Sequence, residues 1–398
     1  MNILITGADG FIGKNLVTTL HNIRNSNNKS FDRCVHIDVF ECCMDSDKDA
    51  LKQYCKDADF VFHIVEEGYI REAGYYINKY YNTTLLLIEF LRKYKNKCPV
   101  IMLSSVLSDK ENSVRLKKLV SDIKDLIVDY GKETDSGVCI YNIPQIFGKW
   151  CNPYIFYGIA GLCNSVINNL QYDIENIKDI IDVVYIDDAV NELINILNKT
   201  EINGINENCK VPDIYTISIE KIMNLLYSFK LSRTTIQIPN SLESSFEKKL
   251  YATYLSYLPE DKFSYPLKMN IDERGSFTEI FKSPERGQFS VNISKPGIIK
   301  GEHWHHTKNE KFIVVSGNAL IQLRKVGTNP DTKMEYPIIN YHVSGDKIEV
   351  VDIPVGYTHN IINEGNTDLI TFMWANECFD QKNPDTYYMK VNGDNANG

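Results

Sequence analysis

The chain has 398 residues, with 43 lysines and arginines against 52 aspartates and glutamates, for a formal net charge of −9. That balance leaves no basic footprint for nucleic acid, and no apolar run is long enough to span a bilayer, so neither partner is expected. With 43% hydrophobic and 24% charged residues over a length too great for one small core, the composition points to a globular protein of two domains.

The amino terminus has no basic region ahead of an apolar segment, so no secretory signal is read and the cytoplasm is the expected compartment. Ten cysteines are scattered without a Cys-x-x-Cys pair and read as reduced thiols. Asn2-Ile-Leu-Ile-Thr6 is a buried-type strand, and Gly7-Ala-Asp-Gly10-Phe11-Ile12-Gly13 leads from it into a helix. Glycines so placed allow a tight turn, close approach of the backbone to a diphosphate, and close packing of helix on strand. Val35-His-Ile-Asp38 is expected to end a second strand, with Asp38 as the ribose-binding acid. No arginine or lysine follows within the next few residues for a 2′-phosphate, which favours NADH over NADPH. After the strand at 59–64 comes Val65-Glu66-Glu67-Gly68, whose carboxylates would face that diphosphate. Strands at 99–104 and 137–142 alternate with helices near 78–95, 112–130 and 187–198, the signature of an α/β, doubly wound parallel sheet of Rossmann type. Helical patches at 217–229 and 242–250 complete this first domain, taken as 1–245, and an amphipathic, tyrosine-rich helix from Phe246 to Pro259 opens the second, 246–398.

In the second domain His303 and His305 are two apart, so on a strand both imidazoles share a face. Glu310 follows just ahead of the apolar run Phe312-Ile-Val-Val315, and His359 comes from Pro354-Val-Gly356-Tyr357-Thr-His359-Asn-Ile-Ile-Asn363. Three imidazoles and a carboxylate suit zinc, iron, manganese or nickel, and residue type alone does not choose among them.

These two segments resemble both signatures of the cupins, Gly297 to Gly317 for the first and Pro354 to Asn363 for the second. The resemblance implies a small antiparallel all-β barrel in which His303, His305, Glu310 and His359 bind one divalent metal. The glycine turn, with Leu103-Ser104-Ser105 and Val184-Tyr-Ile-Asp187-Asp188, resembles the extended short-chain dehydrogenase/reductases that act on nucleotide sugars. Those enzymes use a serine, a tyrosine and a lysine, which points to Ser104 and Ser105. The best register for their Tyr-x-x-x-Lys helix places Ser113 at the tyrosine, four before Lys117. The pairing of the two domains resembles the CapF family of capsule-biosynthesis enzymes along the whole chain. That resemblance implies a homodimer with zinc and NADPH or NADH. It implies C3 epimerisation of a UDP-2-acetamido-4-keto-6-deoxyhexose (a UDP-4-keto-6-deoxy-N-acetylhexosamine) in the cupin and reduction at C4 in the first domain. Base candidates for C3 are His306, Lys308 and Tyr357, beside the ligand segments. A second reading, resting on Ser113, makes the first domain a nucleotide-binding scaffold and leaves the chain a C3 epimerase only.

Overall fold

The structure, a computed structural model, describes residues 1–25, 36–43, 46–66, 73–105, 113–154, 158–171, 176–198, 202–239 and 244–393; at 73–78, 105 and 113–116 only the backbone is described. Contacts divide the chain into Met1–Tyr227 with Ser241–Leu258, and Ser228–Asn240 with Pro259–Gly398.

The first unit contains strands β1 (Asn2–Thr6), β2 (Asp38–Cys42), β3 (Phe60–Val65), β4 (Val100–Ser105), β5 (Val138–Ile143), β6 (Gln145–Phe147), β7 (Ile180–Tyr185), β8 (Ile205–Cys209) and β9 (Tyr215–Ser218). Its main sheet is parallel throughout, in the order β2-β1-β3-β4-β5-β8. β3 is buried at every residue, as a strand covered on both faces must be, and this is why these strands read as continuous apolar runs and not as alternating ones. The helices are α1 (Phe11–Asn25), α2 (Lys48–Asp57), α3 (Ala73–Tyr94), α4 (Ser113–Thr134), α5 (Ile159–Asn168), α6 (Ile186–Leu197), α7 (Ile219–Thr235), whose residues from Ser228 onward fall in the second unit, and α8 (Ser245–Ser256). One core packs Leu16, Leu20 and Leu193 against Ile5 and Phe62, and the other packs Leu87, Leu91, Ile123 and Ile127 against Leu4 and Val61. The sheet is thus doubly wound, and the chain reverses its direction of winding between β1 and β3, where such sheets open a ligand crevice at the carboxyl ends of their strands.

The structure shifts the domain boundary. α8, which the sequence reading grouped with the second domain, belongs to the first unit: Phe246 packs on Phe147 and Tyr215, and Lys249 pairs with Asp188 at 2.7 Å. A capping box between Ser244 and Glu247 starts this helix, the Tyr257 hydroxyl just beyond it donates to the Cys151 carbonyl at 2.6 Å, and the division falls at Pro259.

The second unit is antiparallel: β10 (Met269–Asp272), β11 (Gly275–Ser283), β12 (Gly287–Ser294), β13 (Ile299–Trp304), β14 (Glu310–Ser316), β15 (Asn318–Lys325), β16 (Ile339–Ser344), β17 (Val350–Ile353), β18 (Tyr357–Asn363), β19 (Leu369–Ala375) and β20 (Tyr387–Tyr388). They form two sheets, β10-β11-β12-β19-β14-β17 and β16-β15-β18-β13-β20. Phe312, Val314 and Leu369 from the first sheet meet Ile321, Leu323 and Ile361 from the second, which is the enclosed core a cupin-like fold requires. Among the described residues nine cysteines are free, and no helix is long and apolar enough to cross a membrane.

Candidate metal centre and nucleotide turn

β13 and β18 are neighbours, and their register changes between Gly301 and His303, so that Glu302 is the extra residue of a β-bulge, with φ 60°. A bulge re-aims the residue beside it. Here it sets His303 directly opposite His359, their ring centroids 4.6 Å apart. Gly301 is required at this point because a Cβ would stand 2.8 Å from the His359 carbonyl oxygen. His305 lies one residue past β13, 4.9 Å from the His303 ring, and Glu310 opens β14 in the other sheet. The ligand atoms of His303, His305, Glu310 and His359 all lie within 4.8 Å of one another.

Glu310 Oε2 stands 3.3 Å from His359 Nε2 and 3.6 Å from His305 Nε2. Tetrahedral ligands bound at about 2.0–2.1 Å stand roughly 3.3–3.4 Å apart, so these separations fit a zinc-sized ion. His305 and His359 are buried, and among the described residues neither Nε2 has a hydrogen-bond partner. Three imidazoles and a carboxylate with buried, unbonded ring nitrogens are a fitting donor set for a divalent metal. Burial, with His359 beside it, pulls His303 down to about 4, keeping the ring neutral as a ligand must be. Burial would raise the Glu310 carboxyl, but the His305 and His359 rings beside it outweigh that and hold the group well below the usual carboxylate range.

Asp385 was not legible as part of this site. Its backbone carbonyl accepts from His305 Nδ1 at 2.5 Å, which leaves the Nε2 lone pair facing Glu310. Its carboxylate accepts the backbone N–H groups of His306 at 3.0 Å, Thr307 at 2.9 Å and Lys308 at 3.0 Å, pinning the turn that joins the ligands on β13 to Glu310. Burial opposes ionisation there, but those three donors and the Thr307 hydroxyl prevail and hold the carboxyl well below its ordinary value. The only local hint was the turn-forming Asn383-Pro-Asp385; the partnership spans nearly 80 residues.

The three base candidates separate. The His306 ring is exposed and packs edge-on against Trp304 and Tyr387, 4.5 and 4.9 Å away, not against the ligand rings, as alternation next to His305 demands. Lys308 is 8% exposed and its ammonium reaches Thr386 Oγ1 at 3.4 Å. Tyr357 is two residues before His359 on β18, hence on the same face, and packs against the core that holds Phe312, itself 5.7 Å from the His359 ring.

In the first unit Gly7, Gly10 and Gly13 form the expected turn, with Phe11 and Ile12 opening α1. A Cβ on Gly13 would stand 2.0 Å from the Gly7 carbonyl oxygen, so only glycine permits this packing of helix on strand. Asp38 is a correction. It begins β2 instead of ending a strand, pairs with Asn2, and sits at the opposite end of the sheet from the turn, roughly 13 Å of strand away. The end of β2 that meets the turn is Cys42, whose carbonyl accepts from Gly7 N at 2.9 Å. The strand β2 itself runs from Asp38 through Val39 and Phe40 to Cys42, so the acid lies where a strand starts.

Glu66, one residue past β3, is 6% exposed and does face the helix terminus, accepting the N–H groups of Phe11 at 2.7 Å, Ile12, and Gly13 at 3.2 Å. With it in place the donors a dinucleotide's diphosphate would use are engaged. Glu67 lies outside the described residues. Ser104 ends within β4, fully buried, its hydroxyl without a hydrogen-bond partner among the described residues. Ser113 begins α4, with Lys117 exposed one turn on; the side chains of Ser105 and Ser113 lie outside the described residues.

Comparison with known proteins agrees with this two-unit arrangement. The NAD dependent epimerase/dehydratase family matches residues 3–113, and the polysaccharide biosynthesis C-terminal domain matches residues 270–387. The UDP-2-acetamido-2,6-beta-L-arabino-hexul-4-ose reductase of Pseudomonas aeruginosa is 32% identical over 98% of this chain and 99% of its own. The crystal structure of the capsular polysaccharide assembling protein CapF from Staphylococcus aureus is 40% identical, covers 98% of this chain and 100% of its own, and superposes with a TM-score of 0.83. A structure of CapF with the inhibitor 3-isopropenyl-tropolone has the same identity and coverage and a TM-score of 0.80. With both units, their order and nearly every residue accounted for, the chain belongs to the CapF family of capsular polysaccharide-assembling enzymes.

Proposed function

We propose that the chain is a bifunctional nucleotide-sugar enzyme acting on a UDP-2-acetamido-4-keto-6-deoxyhexose, inverting C3 in the second unit and reducing the C4 ketone in the first. The observation that carries the reading is the convergence of His303, His305, Glu310 and His359 in a cupin-like unit, in a chain 40% identical over 98% of its length to CapF. A 4-keto group acidifies the proton on C3, so inversion needs a base on one face, a donor on the other and a stabilised enediolate between them. Those four side chains would hold a zinc ion, and zinc would supply Lewis-acid polarisation of the carbonyl oxygen. An inhibitor built on tropolone, with adjacent carbonyl and hydroxyl oxygens, is what a metal-bearing site in a CapF relative would attract.

Of the three base candidates Tyr357 is the group for proton transfer at C3, because it shares the face of β18 with His359. His306 and Lys308 belong to the turn that Asp385 pins. NADH or NADPH, held at the glycine turn, would supply the hydride for reduction at C4, with Ser104, Ser105, Ser113 and Lys117 as the groups assigned to that chemistry. The assembly is a homodimer, and the free thiols support a cytoplasmic setting. The test is incubation with the UDP-4-keto-6-deoxy-N-acetylhexosamine in deuterated water, with and without reduced dinucleotide. Deuterium at C3 without dinucleotide is the expected result; none at C3 from metal-loaded protein overturns the epimerase assignment.

A further inference from the structure

The amino end of α1 holds an anion that the chain supplies itself. Phe11, Ile12 and Gly13 are the first three residues of the helix, so their N–H groups have no partner within it and point outward. Glu66 takes all three, with Oε2 on Phe11 at 2.7 Å and Oε1 on Ile12 and on Gly13 at 3.2 Å. A Cβ built on Gly10 would stand 2.7 Å from Glu66 Oε2, so the carboxylate lies directly over the middle glycine of the turn. That is where a missing side chain lets a diphosphate approach the backbone. Glu66 leaves β3 at the point where the order β2-β1-β3-β4 reverses, which is the mouth of the crevice between β1 and β3. The carboxylate is 6% exposed and so is built into the turn, and burial drives it toward its neutral form, up to about 7, against the pull of the three backbone donors. Asp9 on the turn adds to that rise.

Two anions cannot share one set of donors. We infer that Glu66 is an internal occupant of the diphosphate seat, that NADH or NADPH binds only by displacing it, and that this residue sets the dinucleotide affinity of the first unit. The inference rests on the reductase half of the proposed function and adds to it an autoinhibitory contact. The placement of Asp38 at the far end of β2 is consistent with it, since the turn then lacks that acid as compensation.

The test uses the full-length, metal-loaded protein and its Glu66→Ala and Glu66→Gln variants, titrated with NADH and separately with NADPH by calorimetry, no sugar present. Glu66→Ala should bind at least tenfold more tightly than the unaltered protein. Glu66→Gln, which keeps the shape and one acceptor but loses the charge, should fall between them, and it remains informative if the alanine variant does not fold. Equal or weaker affinity in the variants overturns the inference. Deuterium incorporation at C3, measured on the same samples, should be unchanged, so that failure of the proposed function is seen separately from failure of the seat.

Discussion

Stripping the metal from the second unit should lower the unfolding temperature of that unit alone. Without an ion, the Nε2 atoms of His305 and His359 stay buried without a hydrogen bond among the described residues, and each such group costs about 1–3 kcal/mol. Zinc supplied at about 100 times its dissociation constant stabilises the folded form by about 2.7 kcal/mol, provided it does not bind the unfolded chain. In a unit of about 150 residues each kcal/mol moves the midpoint by about 2–4 °C, so the shift should be about 5–11 °C. Two units need not unfold together, so scanning calorimetry of chelated and zinc-reloaded protein should show one transition that moves and one that does not. His303→Ala removes the less deeply buried imidazole and leaves His305 and His359 in place, so it should abolish most of the shift without collapsing the fold. A zinc-induced shift as large in His303→Ala as in the unaltered protein would refute the assignment of this cluster as the centre.

Other outcomes can be checked more briefly. Tyr357→Phe should cut deuterium incorporation at C3 by about 100-fold or more with zinc content unchanged, the size expected for loss of a positioned proton-transfer group; undiminished incorporation removes Tyr357 from that role. Asp385→Ala frees the 306–308 turn and should weaken zinc affinity about 10–100-fold in a chelator competition, while activity at saturating zinc largely returns. The pH dependence of the first unit should hinge on two opposed groups. Burial raises the Glu66 carboxyl to about 7 from 4.5, so its contribution is full below the unfolded value and is lost as pH rises to about 7. Burial lowers His63 to about 4 from 6.5, where its ring lies between Thr6 Oγ1 and Thr84 Oγ1, so its contribution grows as pH rises through about 4 to 6.5. The two slopes oppose each other between about pH 4.5 and 6.5. In Glu66→Gln the first unit should therefore gain stability with pH across that window by roughly 3 kcal/mol relative to the unaltered protein, at 1.36 kcal/mol per pKa unit. Equal pH profiles in urea denaturation would contradict the burial of Glu66.

Local chemistry made part of this molecule readable. Apolar runs long enough for a strand, alternating with helical stretches, gave the parallel sheet, because a strand covered on both faces has no polar side to show. The metal ligands were readable because three of them lie within eight residues, bracketing one turn, and the fourth stands in a turn-then-strand segment whose glycine and histidine keep a fixed spacing. Even there the pairing of His303 with His359 depends on the bulge at Glu302, which only the partner strand reveals. Asp38 shows the limit of reading a strand's end from composition. β2 runs four residues further than the apolar cluster suggested, and in a parallel sheet those residues move an acid from the mouth of the crevice to its floor. The turn at Asp385 and the helix α8 were each marked locally, but their partners were not, since a carboxylate pinning a turn far upstream and a helix choosing its neighbours are properties of packing between distant segments. Glu66 lies between the two cases. Its charge beside the turn was visible in the order of residues, but its engagement with three backbone donors was decided when β3 and α1 came to lie at the same edge of the sheet.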